Sequence, residues 1–459
     1  MAGKSKTVIC ALAGLTGLLG ATIQGVAAKE KPNVLLIMVD DLGYGDLSCY
    51  GSEIPTPNLD QLASSGIRFT QFYVGGPVCT PSRFSLLTGC YPQRSQKNLT
   101  GAIMPGQDRS LVNEEQTIAE YLKRVDYQTG IIGKWHLGHF SKEALPTHHG
   151  FDFFVGHGGG CIDYFEHDYG DLENDWYRND EFIEEKGYST HLLTKHAKNY
   201  LDTLNQDKPF FLFLSYNAPH YGKTTLKKED ARTLVLKEYE SHGVKLMNTL
   251  QVPVEDLKKV ESIEDIYRRY YAAMVVSVDE AIGQVIKKLK ETGEYENTII
   301  WFLSDNGAYS KSYYAHGDNG DLRGEKASLY EGGIRVPSIC VWPGKVKSGI
   351  EFDGVVGSHD ILPTIQHITG FKTDYPVDGV DVTKTLLKQK KVDHQIYWKT
   401  GRQKALLKGD MKLVMSGKKK ELFDLKKDKE EKNDLSEKYP EQVKALERLW
   451  NEVNEGMKQ

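Results

Sequence analysis

Four continuous apolar runs, each closed by polar residues, constrain this chain more than any other feature. Val34-Leu35-Leu36-Ile37-Met38-Val39 ends in Asp40-Asp41, and Gly130-Ile131-Ile132-Gly133 ends in Lys134-Trp135-His136. Phe210-Phe211-Leu212-Phe213-Leu214 leads to Asn217-Ala218-Pro219-His220, and Thr298-Ile299-Ile300-Trp301-Phe302-Leu303 to Asp305-Asn306-Gly307. A strand that is apolar at every position leaves no face for water, so all four belong to a sheet covered on both sides. Amphipathic stretches lie between them: Asn58 to Gly66, Glu115 to Lys123, Ser189 to Leu204 and Ile266 to Lys290. That alternation predicts an α/β fold with a large, mostly parallel sheet flanked by helices. Ligands of such sheets bind beyond the carboxyl ends of the strands, so the polar closures should meet in one crevice.

The remainder of the chain divides around this frame. Residues 1–28 read as a signal peptide: Lys4 and Lys6, an apolar run from Val8 to Ala21, then the small residues Val26, Ala27 and Ala28. The expected location is therefore secreted or periplasmic. No later stretch approaches the roughly 20 apolar residues of a membrane span. Residues 29–370 form the expected catalytic domain. Within it, the Lys- and Glu-rich stretch 221–265 carries no strong strand pattern and reads as a helical insertion near the site or a solvated surface excursion. Residues 371–459 read as a smaller α+β domain. Its short antiparallel strands are Ile396-Tyr397-Trp398, Lys404 to Lys408, Met411 to Met415 and Glu421 to Leu425, followed by a charged helix from Pro440 to Met457. The formal charge of −5 becomes −7 once Lys4 and Lys6 leave, which disfavours nucleic acid as a partner.

The chemistry concentrates in Cys79-Thr80-Pro81-Ser82-Arg83-Phe84-Ser85-Leu86-Leu87-Thr88-Gly89. Pro81 suits a first helical turn, with Thr80 as a possible cap. Cys79 then sits at a helix N-terminus, where the dipole favours anions, and Arg83 lies four residues on over the same face. Five cysteines remain after the signal peptide, an odd number that flags a thiol with its own chemistry. Whether Cys49, Cys90, Cys161 and Cys340 pair is open. Asp40, Asp41 and Asp305 are adjacent or convergent carboxylates that repel unless a cation lies between them. With the amide oxygen of Asn306 they make a hard donor set, suited to Ca2+ or Mg2+ rather than zinc. Lys134, His136, His220 and Lys326 bring cations and imidazoles to the same anion site.

The Cys79 string resembles the modification sequence of the sulfatase family, Cys-x-Pro-x-Arg with its Leu-Thr-Gly tail. The resemblance spans nearly the whole mature chain from Lys31 and includes Leu422-Phe423-Asp424-Leu425 before the last helix. It implies a fold of the alkaline phosphatase superfamily. It also implies that a maturation enzyme oxidises Cys79 to formylglycine, which hydrates to a gem-diol. Asp40, Asp41, Asp305, Asn306 and residue 79 as formylglycine would hold the metal. Lys134 and His136 would serve the formylglycine, His220 and Lys326 the sulfate, and Arg83 would stabilise the nucleophile.

The expected substrate is a sulfate ester, on a polysaccharide or glycosaminoglycan-type sugar. Within Gly156-His157-Gly158-Gly159-Gly160-Cys161-Ile162-Asp163-Tyr164-Phe165-Glu166-His167, glycines permit close backbone approach and Asp163 is a candidate for reading sugar hydroxyls. Alternatives are an arylsulfatase acting on small aryl sulfates, and a phosphomonoester or phosphonate hydrolase of the same superfamily.

Overall fold

The computed structural model describes residues 31–169, 174–225, 232–241, 244–310 and 315–457. The expected signal peptide, residues 1–28, lies outside the described residues. The strands used below are β1 (Asn33–Asp40), β2 (Ile67–Phe69), β3 (Gln128–Lys134), β4 (Phe153–His157), β5 (Phe210–Pro219), β6 (Gly222–Thr225), β7 (Thr233–Ser241) and β8 (Val244–Gln251). They continue with β9 (Thr298–Ser304), β10 (Ser338–Val341), β11 (Ile350–Phe352), β12 (Gln395–Thr400), β13 (Gln403–Lys408), β14 (Met411–Ser416) and β15 (Lys419–Asp424). The helices are α1 (Pro57–Ser64), α2 (Cys79–Thr88), α3 (Ser189–Thr203), α4 (Ile266–Glu291) and α5 (Pro440–Gly456).

The central sheet runs β11-β2-β10-β9-β1-β5-β3-β4, then two short edge strands at Tyr177–Arg178 and Glu181–Phe182. Its middle, β9-β1-β5-β3-β4, is parallel throughout. The antiparallel pairs of β10 with β9 and β2 make the sheet mixed. Every residue of β1, β5 and β9 is buried. The pleat sends Leu35, Ile37 and Val39 into a core shared with α1, α3 and α4. It sends Val34, Leu36 and Met38 into a second core under α2 and the helix Ile361–Thr369. This double covering is what the unbroken apolar runs require.

The C-terminal residues form a four-stranded antiparallel sheet, β12-β13-β14-β15, packed by α5. Val443, Leu446 and Trp450 make the buried face of α5, and Trp450 stacks on Tyr397 at 5.1 Å. This sheet shares its core with the second face of the central sheet. Trp398 Nε1 donates to the Val74 carbonyl across the seam at 2.7 Å.

The structure corrects the expectation for residues 221–265. They are not a helical insertion: β6, β7 and β8 form an antiparallel sheet in the order β7-β8-β6, and the helical residues described there are the short turns Val254–Leu257 and Lys258–Val260. Lysine and glutamate favour helices, but here tertiary pairing overrides that propensity. Leu246 and the run Asn248 to Gln251 of β8 are buried, so the end of this strand is covered on both faces. Only His242 and Gly243 separate β7 from β8 in sequence, a hairpin spacing that the charge-rich composition masked. The five cysteines among the described residues are all free thiols.

A buried charge cluster crosses the seam. Lys412 Nζ of β14 lies 2.7 Å from Glu331 Oε1 and 2.9 Å from Glu431 Oε1. Burial pushes the Glu431 carboxyl up to about 7, with Lys412 opposing and Glu331 reinforcing. The folded chain therefore holds this proton more tightly than the unfolded chain, whose glutamate titrates near 4.5. This contribution to stability is fully present below about pH 4.5 and is lost as pH rises through about 7. Denaturant titrations from pH 4 to 8 should show a decline across this window that Glu431→Gln flattens.

Candidate active site and metal centre

Parallel strands end at one edge, and that edge gathers the polar closures. β1 delivers Asp40 and Asp41, β3 delivers Lys134, β5 leads into His220, and β9 leads into Asp305 and Asn306. The N-terminus of α2 brings Cys79 to the same place. One candidate ligand atom from each of Asp40, Cys79 and Asp305 lies within 4.8 Å of the others, and the same holds for Asp40, Asp41 and His220. All these residues are buried. The sequence-predicted centre is therefore one cluster in space.

α2 begins at Cys79 itself, with Val78 as the cap residue. Thr80 is thus already inside the first turn and does not cap it. Its hydroxyl instead donates to the His136 carbonyl at 3.1 Å and accepts from Ile103 N at 3.2 Å. Pro81 stays within the first turn, as its missing N–H allows. Arg83, one turn on, is fully buried. It donates to Asp305 Oδ2 at 2.9 Å, the Lys134 carbonyl at 3.0 Å and Ser215 Oγ at 2.6 Å. One guanidinium thus ties α2 to the ends of β3 and β9 and to the middle of β5.

Two site residues adopt left-handed backbone conformations that cost non-glycine residues free energy, Asp41 at φ 62° and His136 at φ 54°. Both are over-determined by their neighbours. Asp41 N donates to Asp305 Oδ1 at 3.1 Å, and its carbonyl accepts from Tyr271 Oη at 2.9 Å. His136 N donates to the Gly158 carbonyl at 3.1 Å. Gly160 packs on the His136 ring, where a Cβ would come within 2.8 Å of Cε1.

The charges compensate in pairs. Lys134 Nζ lies 2.5 Å from Asp40 Oδ2. Lys326 Nζ lies 2.6 Å from Asp41 Oδ1 and 2.8 Å from Oδ2, and His220 Nε2 lies 3.5 Å from Asp41 Oδ2. Burial alone would raise the Asp41 carboxyl, but Lys326 and His220 hold it below its ordinary value. Asp305 is pushed up to about 6, by burial first and Asp40 second, against Arg83, Lys134 and Lys326. Burial would lower Lys134 and Lys326, yet Asp40 and Asp41 respectively keep both above the usual lysine value. Burial also drives His136 and His220 well below the usual imidazole range, so both are neutral at pH 7. The Cys79 thiol is raised by burial, with Lys134 and Lys326 opposing.

The donor set fits a hard dication. Asp40 Oδ1 and Asn306 Oδ1 are buried oxygens with no hydrogen-bond donor. A buried acceptor without a donor is costly, and a cation would satisfy both. Together with Asp41 and Asp305 they offer oxygen ligands only, as Ca2+ and Mg2+ prefer.

Asp163 is not brought into this cluster. Its carboxylate accepts from Phe165 N and Glu166 N at 2.9 and 3.0 Å and from Gln251 Nε2 at 2.8 Å, so it organises its own loop against β8. Sequence reasoning passed over Ser215, and it placed His157 only within the glycine-rich string. Ser215 sits in the middle of an apolar strand, where a lone hydroxyl facing a charge was the available signal. His157 ends β4 opposite Lys134 and is fully buried. The Ile103 carbonyl that holds His136 Nε2 at 2.9 Å has no sequence signature at all.

The Sulfatase family model matches residues 32–371. Arylsulfatase J of Mus musculus is 32% identical, with 94% of this chain and 77% of that protein covered. N-acetylgalactosamine-6-sulfatase of Mus musculus is 31% identical, covering 84% of this chain and 71% of that protein. Among solved structures, Ps i-CgsB in complex with k-i-k-neocarrahexaose superposes with a TM-score of 0.81 at 30% identity, covering 92% of this chain and 93% of that one.

Replacing Arg83 by alanine leaves Asp305 buried without its cation, which should cost about 3–5 kcal/mol in denaturant unfolding. Dialysis against a chelator should lower the melting temperature, and returning Ca2+ or Mg2+ should restore it, by about 2.7 kcal/mol at a hundredfold excess over Kd.

Proposed function

Because the chain belongs to the sulfatase family and so hydrolyses sulfate esters, we propose that it removes sulfate from a carbohydrate with a formylglycine made from Cys79 and a Ca2+ or Mg2+ ion. The convergence of Asp40, Cys79 and Asp305 within 4.8 Å is the observation that carries this reading. A buried thiol with a raised pKa is a poor nucleophile, which supports a role for Cys79 in oxidised form. Asp40, Asp41, Asp305 and Asn306 would hold the metal together with residue 79. Formylglycine in its hydrated form would provide a hydroxyl nucleophile at residue 79, and a dication held by these residues would provide Lewis-acid polarisation.

The side chains around that centre have distinct tasks. Lys134 and Lys326 offset negative charge on the transferred group, and Arg83 fixes the strand ends that carry them. His136 Nε2–H donates to the Ile103 carbonyl, which can only accept, so Nδ1 carries the lone pair. That buried, unpartnered Nδ1 is the base in this reading. His220 and Lys326 flank Asp41, and one of the two protonates the departing sugar oxygen. Both imidazoles are neutral at pH 7, so each can take up a proton, and His220 can act as the acid only after it has taken one up.

A sugar substrate is favoured by the relative named for N-acetylgalactosamine 6-sulfate and by the neighbouring structure holding k-i-k-neocarrahexaose. Residues 1–28, read as a signal peptide, support a secreted or periplasmic location. No helix among the described residues is long and apolar enough to cross a membrane.

Intact-mass analysis should find residue 79 as the aldehyde, and Cys79→Ala should abolish sulfate release. Defined sulfated mono- and oligosaccharides assayed beside aryl sulfates and phosphate esters should give the highest kcat/KM on a saccharide. Preference for phosphate esters would reject the reading. The general acid can be identified from leaving groups: of His220→Ala and Lys326→Ala, the variant lacking the acid should retain far more activity on a nitrophenyl sulfate than on a sugar sulfate, because nitrophenolate departs without a proton.

A further inference from the structure

Away from the sulfatase centre, a second group of metal-binding side chains is buried among the described residues. One ligand atom each from His359, Asp360 and His394 lies within 4.8 Å of the others. The turn Ser358–Asp360, which leads into the helix Ile361–Thr369, carries the first two, and His394 immediately precedes β12. The group therefore sits where the catalytic part meets the C-terminal sheet.

Asp360 is already anchored. Its Oδ2 accepts from Gly357 N at 2.6 Å and lies 2.7 Å from His394 Nε2, while Oδ1 accepts from Val380 N at 2.8 Å. One lone-pair position on Oδ1 remains, and His359 Nε2 is 3.9 Å away. His359 is fully buried, and neither of its ring nitrogens has a hydrogen-bond partner. Its ring is confined by Tyr91, 5.0 Å between centroids, and by Gly357, where a Cβ would meet Cε1 at 2.3 Å. A buried imidazole that has given up water without a replacement is costly, and a bound ion would offset that cost. His394 also borders a cavity of about 380 Å3, shared with Tyr91, Arg94, Asp378, Lys408 and Met457.

We propose that His359, Asp360 and His394 form a second metal site, for a divalent transition ion of the zinc type, completed by water. Two imidazoles and a carboxylate are a nitrogen-rich, borderline donor set, unlike the all-oxygen set at the strand ends. The two rings are 5.7 Å apart between centroids, a spacing that lets both reach one ion over bonds of about 2.0–2.1 Å. On binding, the Asp360–His394 hydrogen bond is replaced by two bonds to the ion, and the proton on His394 Nε2 passes by way of solvent to Nδ1, so that the ring ligates as a neutral imidazole. Burial keeps His359 neutral, the form that ligates. Such an ion would pin the turn before the helix Ile361–Thr369 to the strand that opens the C-terminal sheet. This assignment does not depend on the sulfatase chemistry.

The test uses the whole mature chain, stripped with a chelator and kept in excess Ca2+ so that the acidic centre is filled. Co2+ is then titrated while visible absorption and melting temperature are followed, and Zn2+ uptake is measured by elemental analysis. The wild type should bind about one equivalent, show the intense visible bands of a four-coordinate ion, and melt several degrees higher. His359→Gln, His359→Leu and His394→Gln should each lose the bands and the rise, while sulfate release in Ca2+ alone stays within about twofold of wild type. His359→Leu keeps the packing volume, so it tests ligation even if a polar replacement disturbs the turn. Absence of cobalt bands in the wild type, or bands and uptake that survive in His359→Leu and His394→Gln, would overturn the assignment.

Discussion

The site depends on a charge problem solved without water. Three carboxylates, Asp40, Asp41 and Asp305, and three cations, Arg83, Lys134 and Lys326, are buried together at the edge where the largely apolar central strands end. An isolated charge in such a place would be prohibitively costly, so each is tolerated only because an opposite charge faces it. The pairing is spatial, not local: Lys134 meets Asp40 across 94 residues of chain and Lys326 meets Asp41 across 285. The fold must therefore be complete before the centre is stable, and the centre in turn locks the strand ends. Six fixed charges in balance also leave two oxygens, on Asp40 and Asn306, with no donor. That residue of unsatisfied acceptor capacity is what a hard dication, and then an anionic ester, can exploit.

Backbone geometry turns this balance into positioning. Asp41 and His136 occupy left-handed conformations that a side chain rarely adopts, and each is held by hydrogen bonds from a different strand. Arg83 performs the same service from α2, with its donors divided between Asp305, the Lys134 carbonyl and Ser215. The consequence is pre-organisation: the groups to which the proposed chemistry is assigned are fixed in advance. His136 gains a defined tautomer from a carbonyl that belongs to no regular element.

The C-terminal sheet is more than an appendage. It shares a hydrophobic core with the second face of the central sheet, and it places Lys412 against Glu331 next to the segment that carries Lys326. The β6–β8 sheet plays a comparable part on the other side. It leaves the strand end just after His220 and is tied to the loop of residues 161–167 through Gln251 and Lys223. Both attachments stiffen loops that border the centre.

Sequence alone determined the strand frame, the helices between its strands and the identity of the central groups. Apolar runs with polar closures encode burial and chain direction at once, and period-2 and period-3.6 patterns are local properties. It also determined the C-terminal strands, whose patterns were read within a residue or two of their bounds. It did not determine the β6–β8 sheet, because lysine and glutamate favour helix while strand pairing there is settled by partners in β8 and the loop before it. Only the tertiary structure decided that Asp163 serves its own loop, that Thr80 bridges Ile103 and His136 instead of capping, and that His157 and Ser215 join the centre. Those outcomes rest on hydrogen bonds to carbonyls and side chains distant in sequence, and such contacts leave no periodicity to read.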